Sequence, residues 1–224
     1  MKIIAVSDLH GELINIKDKC DVFIIAGDWS PLYIQNYYES MIEWIDKAFI
    51  PWMNSINSNY VLFIPGNHDF VCTSKSFKED LRYLLYKHNA GLKIHYLCHD
   101  SIVLYGKKFY GNPNNESPSG WAYAKQYNQI YKFDSNTDIL ITHQPPKIGD
   151  VGYVSKHNLE LGSASLRDAI LDSNIEINIC GHIHTGHHGE TPVILNNGKV
   201  SSVYNVSILD EDYIVNYEPT VIEI

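Results

Sequence analysis

The chain has 224 residues, 45% hydrophobic and 19% charged, which is ordinary for a globular protein that buries a core. One domain spanning residues 1–224 is the expectation at this length. The formal net charge of −9 argues against a broad electropositive face for long nucleic acid, but not against a phosphate substrate, because bound divalent cations invert the sign of a local site.

The first apolar run, Ile3–Val6, reads as a buried strand and meets polar Ser7-Asp8 too soon for a signal-peptide core or a membrane span. Val22–Ala26 and Tyr60–Ile64 read as further buried strands, rich in β-branched residues. Between them, Tyr37–Ile56 has the apolar spacing of a helix broken or kinked near Pro51. Phe77–Lys87 reads as a second helix. Ile102–Tyr105 and Lys108–Tyr110 flank Gly106-Lys107, a predicted hairpin turn. A loop is predicted over Gly111 to Gly120 and a helix over Trp121 to Tyr131. Ile139–Thr142 and Ile177–Cys180 read as strands, Ala164–Leu171 as a helix, and Val200–Tyr204 and Thr220–Ile224 as short strands in the tail. Alternation in the first half implies a parallel sheet covered by helices. The second set of strands implies an α/β fold of two packed sheets with helices outside. Cys20, Cys72, Cys98 and Cys180 are scattered, a pattern that fits buried thiols in a reducing compartment. A cytoplasmic protein without membrane contact is therefore expected.

Five short clusters end or follow the predicted strands. They are Asp8-Leu9-His10-Gly11, Gly27-Asp28, Gly66-Asn67-His68-Asp69, His143, and Gly181-His182-Ile183-His184. In open α/β sheets, ligands gather beyond the carboxyl ends of the strands, so the five converge on one site. Residues two apart in extended backbone point the same way, which lets Asp8 and His10 share an ion. Taken singly, an Asp or Asn after a strand is usually a turn former or helix cap, and a lone histidine a hydrogen-bonded core or surface residue. Five in this order at strand ends are not explained that way. Carboxylate, imidazole and carboxamide donors without thiolate suit Mn²⁺, Fe or Zn²⁺. Seven candidate ligands exceed what one ion takes, and a pair of ions bridged by one carboxylate and a water accounts for the surplus.

Asp-x-His, Gly-Asp, Gly-Asn-His-Asp, a lone His after a strand and Gly-His-x-His, in that order, resemble the calcineurin-like metallophosphoesterase superfamily over positions 8 to 184. The resemblance implies the four-layer αββα fold and a metal-bridging hydroxide as nucleophile. It implies that Asp8, His10, Asp28 and His184 hold one divalent ion and Asp28, Asn67, His143 and His182 the other. It further implies that Asn67 and His68 contact substrate, that His68 stabilises the transition state or protonates the leaving group, and that Asp69 positions it. Pro31 stands where purple acid phosphatases of that superfamily place a tyrosine ligand, so an Fe(III)–tyrosinate site is not expected.

Thr142-His143-Gln144-Pro145-Pro146, Gly111-Asn112-Pro113 leading to Trp121-Ala122, Gly162 through Leu166-Arg167, and Asn205-Val206-Ser207 resemble a smaller subgroup, the fetal-brain-protein-type (MPPED) phosphodiesterases. That likeness implies Mn²⁺ as the favoured metal and phosphodiesters, including cyclic nucleotides, as substrates. Asn112 and Trp121 read either as shaping the substrate pocket or as loop capping and core packing. His187 and His188 read as loop histidines or as cleft lining. A small phosphoester is the expected partner, and a phosphomonoesterase, a protein phosphatase or a non-catalytic binding module on the same fold are the alternatives.

Overall fold

The computed structural model describes residues 1–116, 119–124 and 131–224. In chain order the strands are β1 (Lys2–Val6), β2 (Cys20–Ala26), β3 (Ser58–Ile64), β4 (Ile94–Tyr96), β5 (Asp100–Leu104), β6 (Lys107–Asn112) and β7 (Ile139–Thr142). They continue with β8 (Tyr153–Val154), β9 (Leu159–Glu160), β10 (Ile177–Cys180), β11 (Glu190–Ile194), β12 (Val200–Asn205) and β13 (Thr220–Glu223). Five form one sheet in the order β13-β1-β2-β3-β4, and six form a second in the order β11-β12-β10-β7-β6-β5. In the first sheet β1 to β4 run parallel and β13 antiparallel; in the second β6, β7, β10 and β12 run parallel between antiparallel edges.

The strand side chains alternate between two buried faces, as the period of two requires. Ile3, Ala5, Val22, Ile24, Ala26, Leu62 and Ile64 point between the sheets and meet Phe109, Ile139, Ile141, Ile177 and Ile179 of the second sheet. Ile4, Val6, Phe23, Ile25, Val61 and Phe63 point outward, onto helices α1 (Tyr38–Trp44), α2 (Ile50–Ser55) and α3 (Phe77–Lys87) through Met41, Met53, Phe77, Leu81 and Leu84. On the far side, helix α4 (Ala164–Leu171) covers Leu140 with Leu166 and Ile170. The result is two mixed sheets flanked by helices, the four-layer αββα arrangement. Among the described residues no helix is long and apolar enough to cross a membrane.

Pro51 acts differently from the expected break. Proline lacks the N–H of a helical turn and its ring crowds the carbonyl four residues back. Here the chain widens into a π-helical turn, Ile45–Phe49, in which the Ile50 N–H bonds the Ile45 carbonyl, and the helix resumes as α2. The hairpin between β5 and β6 turns at Tyr105-Gly106, one residue earlier than predicted, because both residues take positive φ, +52° and +78°, as a two-residue turn of this type requires. Gly111 and Asn112 extend β6 and so leave the predicted loop. Residues 119–124 form turns, and Ala124 bridges Asn115; the remainder of the helix expected over Trp121 to Tyr131 lies outside the described residues up to residue 131.

The two sheets meet where it matters for the clusters. Ser7, just past β1, donates its N–H to Val206 at 2.8 Å and bridges Ser207, just past β12. The carboxyl ends of β1, β2, β3, β7 and β10 therefore open onto one common edge.

Candidate metal centre

Asp8, His10, Asp28 and His182 all take positive φ, +56°, +43°, +52° and +68°. Left-handed backbone costs a non-glycine residue about 1 kcal/mol or more, so it persists only where its surroundings enforce it. The enforcing contacts are main-chain bonds between neighbouring turns: the Asp8 N–H to the Gly27 carbonyl at 3.1 Å and the His10 N–H to the Asp28 carbonyl at 2.9 Å. Asp8 and His10 thus converge through this strained turn, not through the extended backbone expected of them. Two glycines let the turns approach. A Cβ on Gly181 would fall on Ser7 Oγ and the Asp8 carboxylate, and one on Gly66 would fall on the Asp28 carboxylate.

Three sets of donors lie within 4.8 Å of one another: Asp8, His10 and His184; His10, Asp28 and His68; and Asp28, His143 and His182. His143 Nε2 lies 3.1 Å from Asp28 Oδ2 and 2.9 Å from Asn67 Oδ1. His184 Nε2 lies 3.6 Å from Asp8 Oδ1, and His10 Nε2 lies 3.9 Å from Asp28 Oδ2. All seven predicted ligands are therefore brought together. The other nitrogen of two rings is already engaged: His143 Nδ1 bonds the Ala26 carbonyl at 3.0 Å and His184 Nδ1 the Asp210 carbonyl at 2.8 Å. A carbonyl can only accept, so Nδ1 carries the proton in both rings and Nε2 is the atom left for a metal. Asp8 Oδ1 and His10 Nδ1 are buried without a hydrogen-bond partner, although such atoms are normally satisfied. Oxygen and imidazole donors, oriented and partly orphaned, fit a divalent cation pair.

The electrostatics point the same way. Burial alone would raise Asp8 and Asp28, but the imidazoles beside them, His184 for Asp8 and His143 for Asp28, hold both well below the usual carboxylate range. Burial alone would lower His143 and His184, yet the neighbouring carboxylates push each up to about 9. Burial lowers His10 and His182 to about 4. The carboxylates and the imidazoles thus each favour the other's charged form, as suits positions at which cations would replace protons.

His68 and Asp69 occupy different surroundings from those expected. Asp69 is fully buried, and its carboxylate accepts N–H groups from Asp28 at 2.9 Å, Ser30 at 2.9 Å and Gly66 at 2.6 Å. It ties the second and third clusters together. The partner of His68 Nδ1 is Gln35 Oε1 at 2.7 Å, while the His68 N–H donates to Asp28 Oδ1 at 2.8 Å. Asn112 is buried at the end of β6, where its amide N–H donates to the Lys132 carbonyl and its amide oxygen accepts the Asn114 N–H. Trp121, 39% exposed, lies against His68 with ring centroids 4.6 Å apart. His188 stacks on Tyr217 and bonds the His184 carbonyl, and His187 is exposed.

Four contributors escaped the sequence reading. Gln35 supports His68, Ser207 Oγ donates to Asp8 Oδ2, Asp210 supports His184, and Tyr213 lies over His10 and His184 with ring centroids 5.0 and 5.3 Å away. Only Ser207 had a signal, as part of Asn205-Val206-Ser207.

Residues 1–186 match the family description "calcineurin-like phosphoesterase". The chain is 29% identical to an uncharacterised protein of Methanocaldococcus jannaschii, over 94% of this chain and 96% of that one. It is 26% identical to metallophosphoesterase domain-containing protein 1 of Homo sapiens, over 97% of this chain and 68% of that one, so MPPED-type proteins are among its relatives. In fold it is similar to the phosphopantetheinyl hydrolase of Mycobacterium tuberculosis, with a TM-score of 0.52 at 14% identity over 95% of this chain and 90% of that one. Because the matched stretch takes in every strand-end cluster as well as the strands that carry them, the chain belongs to the calcineurin-like phosphoesterase family.

Proposed function

We propose that this chain is a cytoplasmic, single-domain phosphodiesterase that uses two divalent ions, Mn²⁺ by preference, to hydrolyse a small nucleotide or cyclic-nucleotide-like phosphodiester. The observation that carries the reading is the Asp28 carboxylate, which belongs to two donor sets at once. Asp8, His10, Asp28 and His184 would hold one ion, and Asp28, Asn67, His143 and His182 the other. Ions so held supply Lewis-acid polarisation of the phosphoryl oxygens and activation of the attacking water.

The chain's own residues do the rest. His143 and His184, fixed through Nδ1, present Nε2 without reorganisation. His68 donates its Nδ1–H in a hydrogen bond to Gln35 Oε1, so proton exchange with the leaving oxygen falls to Nε2, a contribution worth about 10²–10⁴-fold. Asp69 acts as a positioning residue through the backbone of Asp28, Ser30 and Gly66. Every ion pair made by Asp8 and Asp28 runs to an imidazole and none to a lysine or arginine, among the described residues.

The test is hydrolysis of bis(p-nitrophenyl) phosphate beside p-nitrophenyl phosphate, with Mn²⁺ and with chelator. Mn²⁺-dependent turnover that prefers the diester is expected. Preference for the monoester would make the protein a phosphatase, and no metal-dependent turnover of either would sink the enzymatic reading.

A further inference from the structure

Ring contacts at the metal centre run in a line: Trp121 to His68 at 4.6 Å, His68 to His10 at 4.9 Å, and His10 to Tyr213 at 5.0 Å. The two ends of the line are the two exposed aromatics, Trp121 at 39% and Tyr213 at 45%. Trp121 touches His68, Tyr213 touches His10 and His184, and, among the described residues, the two make no ring contact with each other. Trp121 is held there by the Ala122 N–H, which donates to the Asn67 carbonyl at 3.1 Å.

Tyr213 is held more expensively. It takes φ of +61°, unusual for a bulky side chain. The Asp210 carboxylate accepts the N–H groups of Asp212 and Ile214, each at 3.0 Å. The Asp210 carbonyl accepts both the Tyr213 N–H at 3.1 Å and His184 Nδ1–H at 2.8 Å. One residue therefore orients a metal donor and forces the tyrosine into its strained position. Among the described residues, neither the Tyr213 hydroxyl nor the Trp121 indole N–H has a hydrogen-bond partner.

We propose that Trp121 and Tyr213, at the two ends of this line of rings beside the centre, are specificity-determining walls. They stack on the organic part of the substrate, so the cleft selects a phosphoester that carries a planar ring, a nucleobase or an aryl group, over one of similar charge without a ring. The proposal rests on the phosphoesterase reading for its substrate but not for its test. A base stacked on an aromatic side chain contributes about tenfold in affinity.

The experiment measures binding of AMP and of glycerol 3-phosphate to the Mn²⁺-loaded full chain by calorimetry. Wild type should prefer AMP. Trp121→Leu and Tyr213→Leu should each shrink that preference about tenfold, whereas Trp121→Phe and Tyr213→Phe, which keep a ring, should retain it. Tyr213→Gly removes the ring while relieving the positive φ, so it guards against a folding artefact and should shrink the preference equally. Proportional weakening of both ligands, or no ring preference in wild type, would overturn the proposal. Ring-selective binding without turnover would leave the walls standing and defeat only the enzymatic reading; diester turnover without ring preference would do the reverse.

Discussion

From the five-stranded sheet come Asp8, His10, Asp28 and Asn67, the first three on left-handed backbone; from the six-stranded sheet come His143, His182 and His184, of which only His182 is left-handed. The carboxylate half is oriented by main-chain bonds between adjacent turns and by Asp69, which clamps Asp28, Ser30 and Gly66. In the imidazole half, His143 and His184 are oriented ring by ring, through Nδ1 to a carbonyl. Backbone strain sets a whole turn at once, while a ring bond sets one side chain. The carboxylate half is consequently the shared foundation and the imidazoles are the separable parts. The halves are also stitched together, since the carbonyl that fixes His143 belongs to Ala26 of β2, and the His182 N–H donates to Asp8 Oδ2 at 2.9 Å.

The largest effect that would break this contrast is on metal content. Asp28→Asn should strip both ions from the protein and bring turnover to background, whereas His143→Ala should leave one ion bound, as read by elemental analysis of dialysed protein. Two ions retained by Asp28→Asn would refute the shared carboxylate. Next is His68→Ala, which should keep both ions and lose about 10²–10⁴-fold in kcat for alkoxide leaving groups, with far less loss for p-nitrophenolate. Equal losses for both would make His68 an orienting residue only.

Neighbouring strand residues sharpen the comparison further. Ile24→Ala opens the layer between the sheets and Ile25→Ala the layer under the helices, each at a cost of about 2–5 kcal/mol. Denaturation should show similar losses, but Mn²⁺ titration should show weaker binding only for Ile24→Ala, because only that layer holds the two halves in register. Matching metal affinities in the two variants would mean that the donor sets are assembled locally. The smallest expected change is in Gln35→Leu, about tenfold in kcat with both ions retained; an unchanged kcat would show that His68 needs no partner at Nδ1.

The strands that end in ligands were legible because each combines a β-branched apolar run with a polar stop, and the ligand identities followed from those stops. Helices Phe77–Lys87 and Ala164–Leu171 and strands Ile139–Thr142 and Ile177–Cys180 lie where their periodicity puts them. Two edge strands were not legible: β4 has only three residues, and β11 carries Pro192, which an edge tolerates because one side of its ladder is unpaired. The left-handed turn at Asp8 to Gly11 was invisible too, since tertiary bonds and not residue preference enforce it. Gln35, Asp210 and Tyr213 reach the centre from loops whose course depends on the whole fold, so no local spacing marks them. The adjacency of His68 and Asp69 did not show that their side chains have different partners, Gln35 for the one and the backbone of Asp28, Ser30 and Gly66 for the other.

Ser207 donates to Asp8 across 199 positions of sequence, and β13 closes the outer edge of the sheet beside β1. Contacts of such separation form late, because loop-closure entropy must be met before they contribute. The carboxylate of Asp8 is therefore fixed only when the segment that carries Ser207 has docked beside β1. Anything that loosens residues 205–207 from the end of β1 would then be felt at the metal centre, although none of those residues is itself a donor.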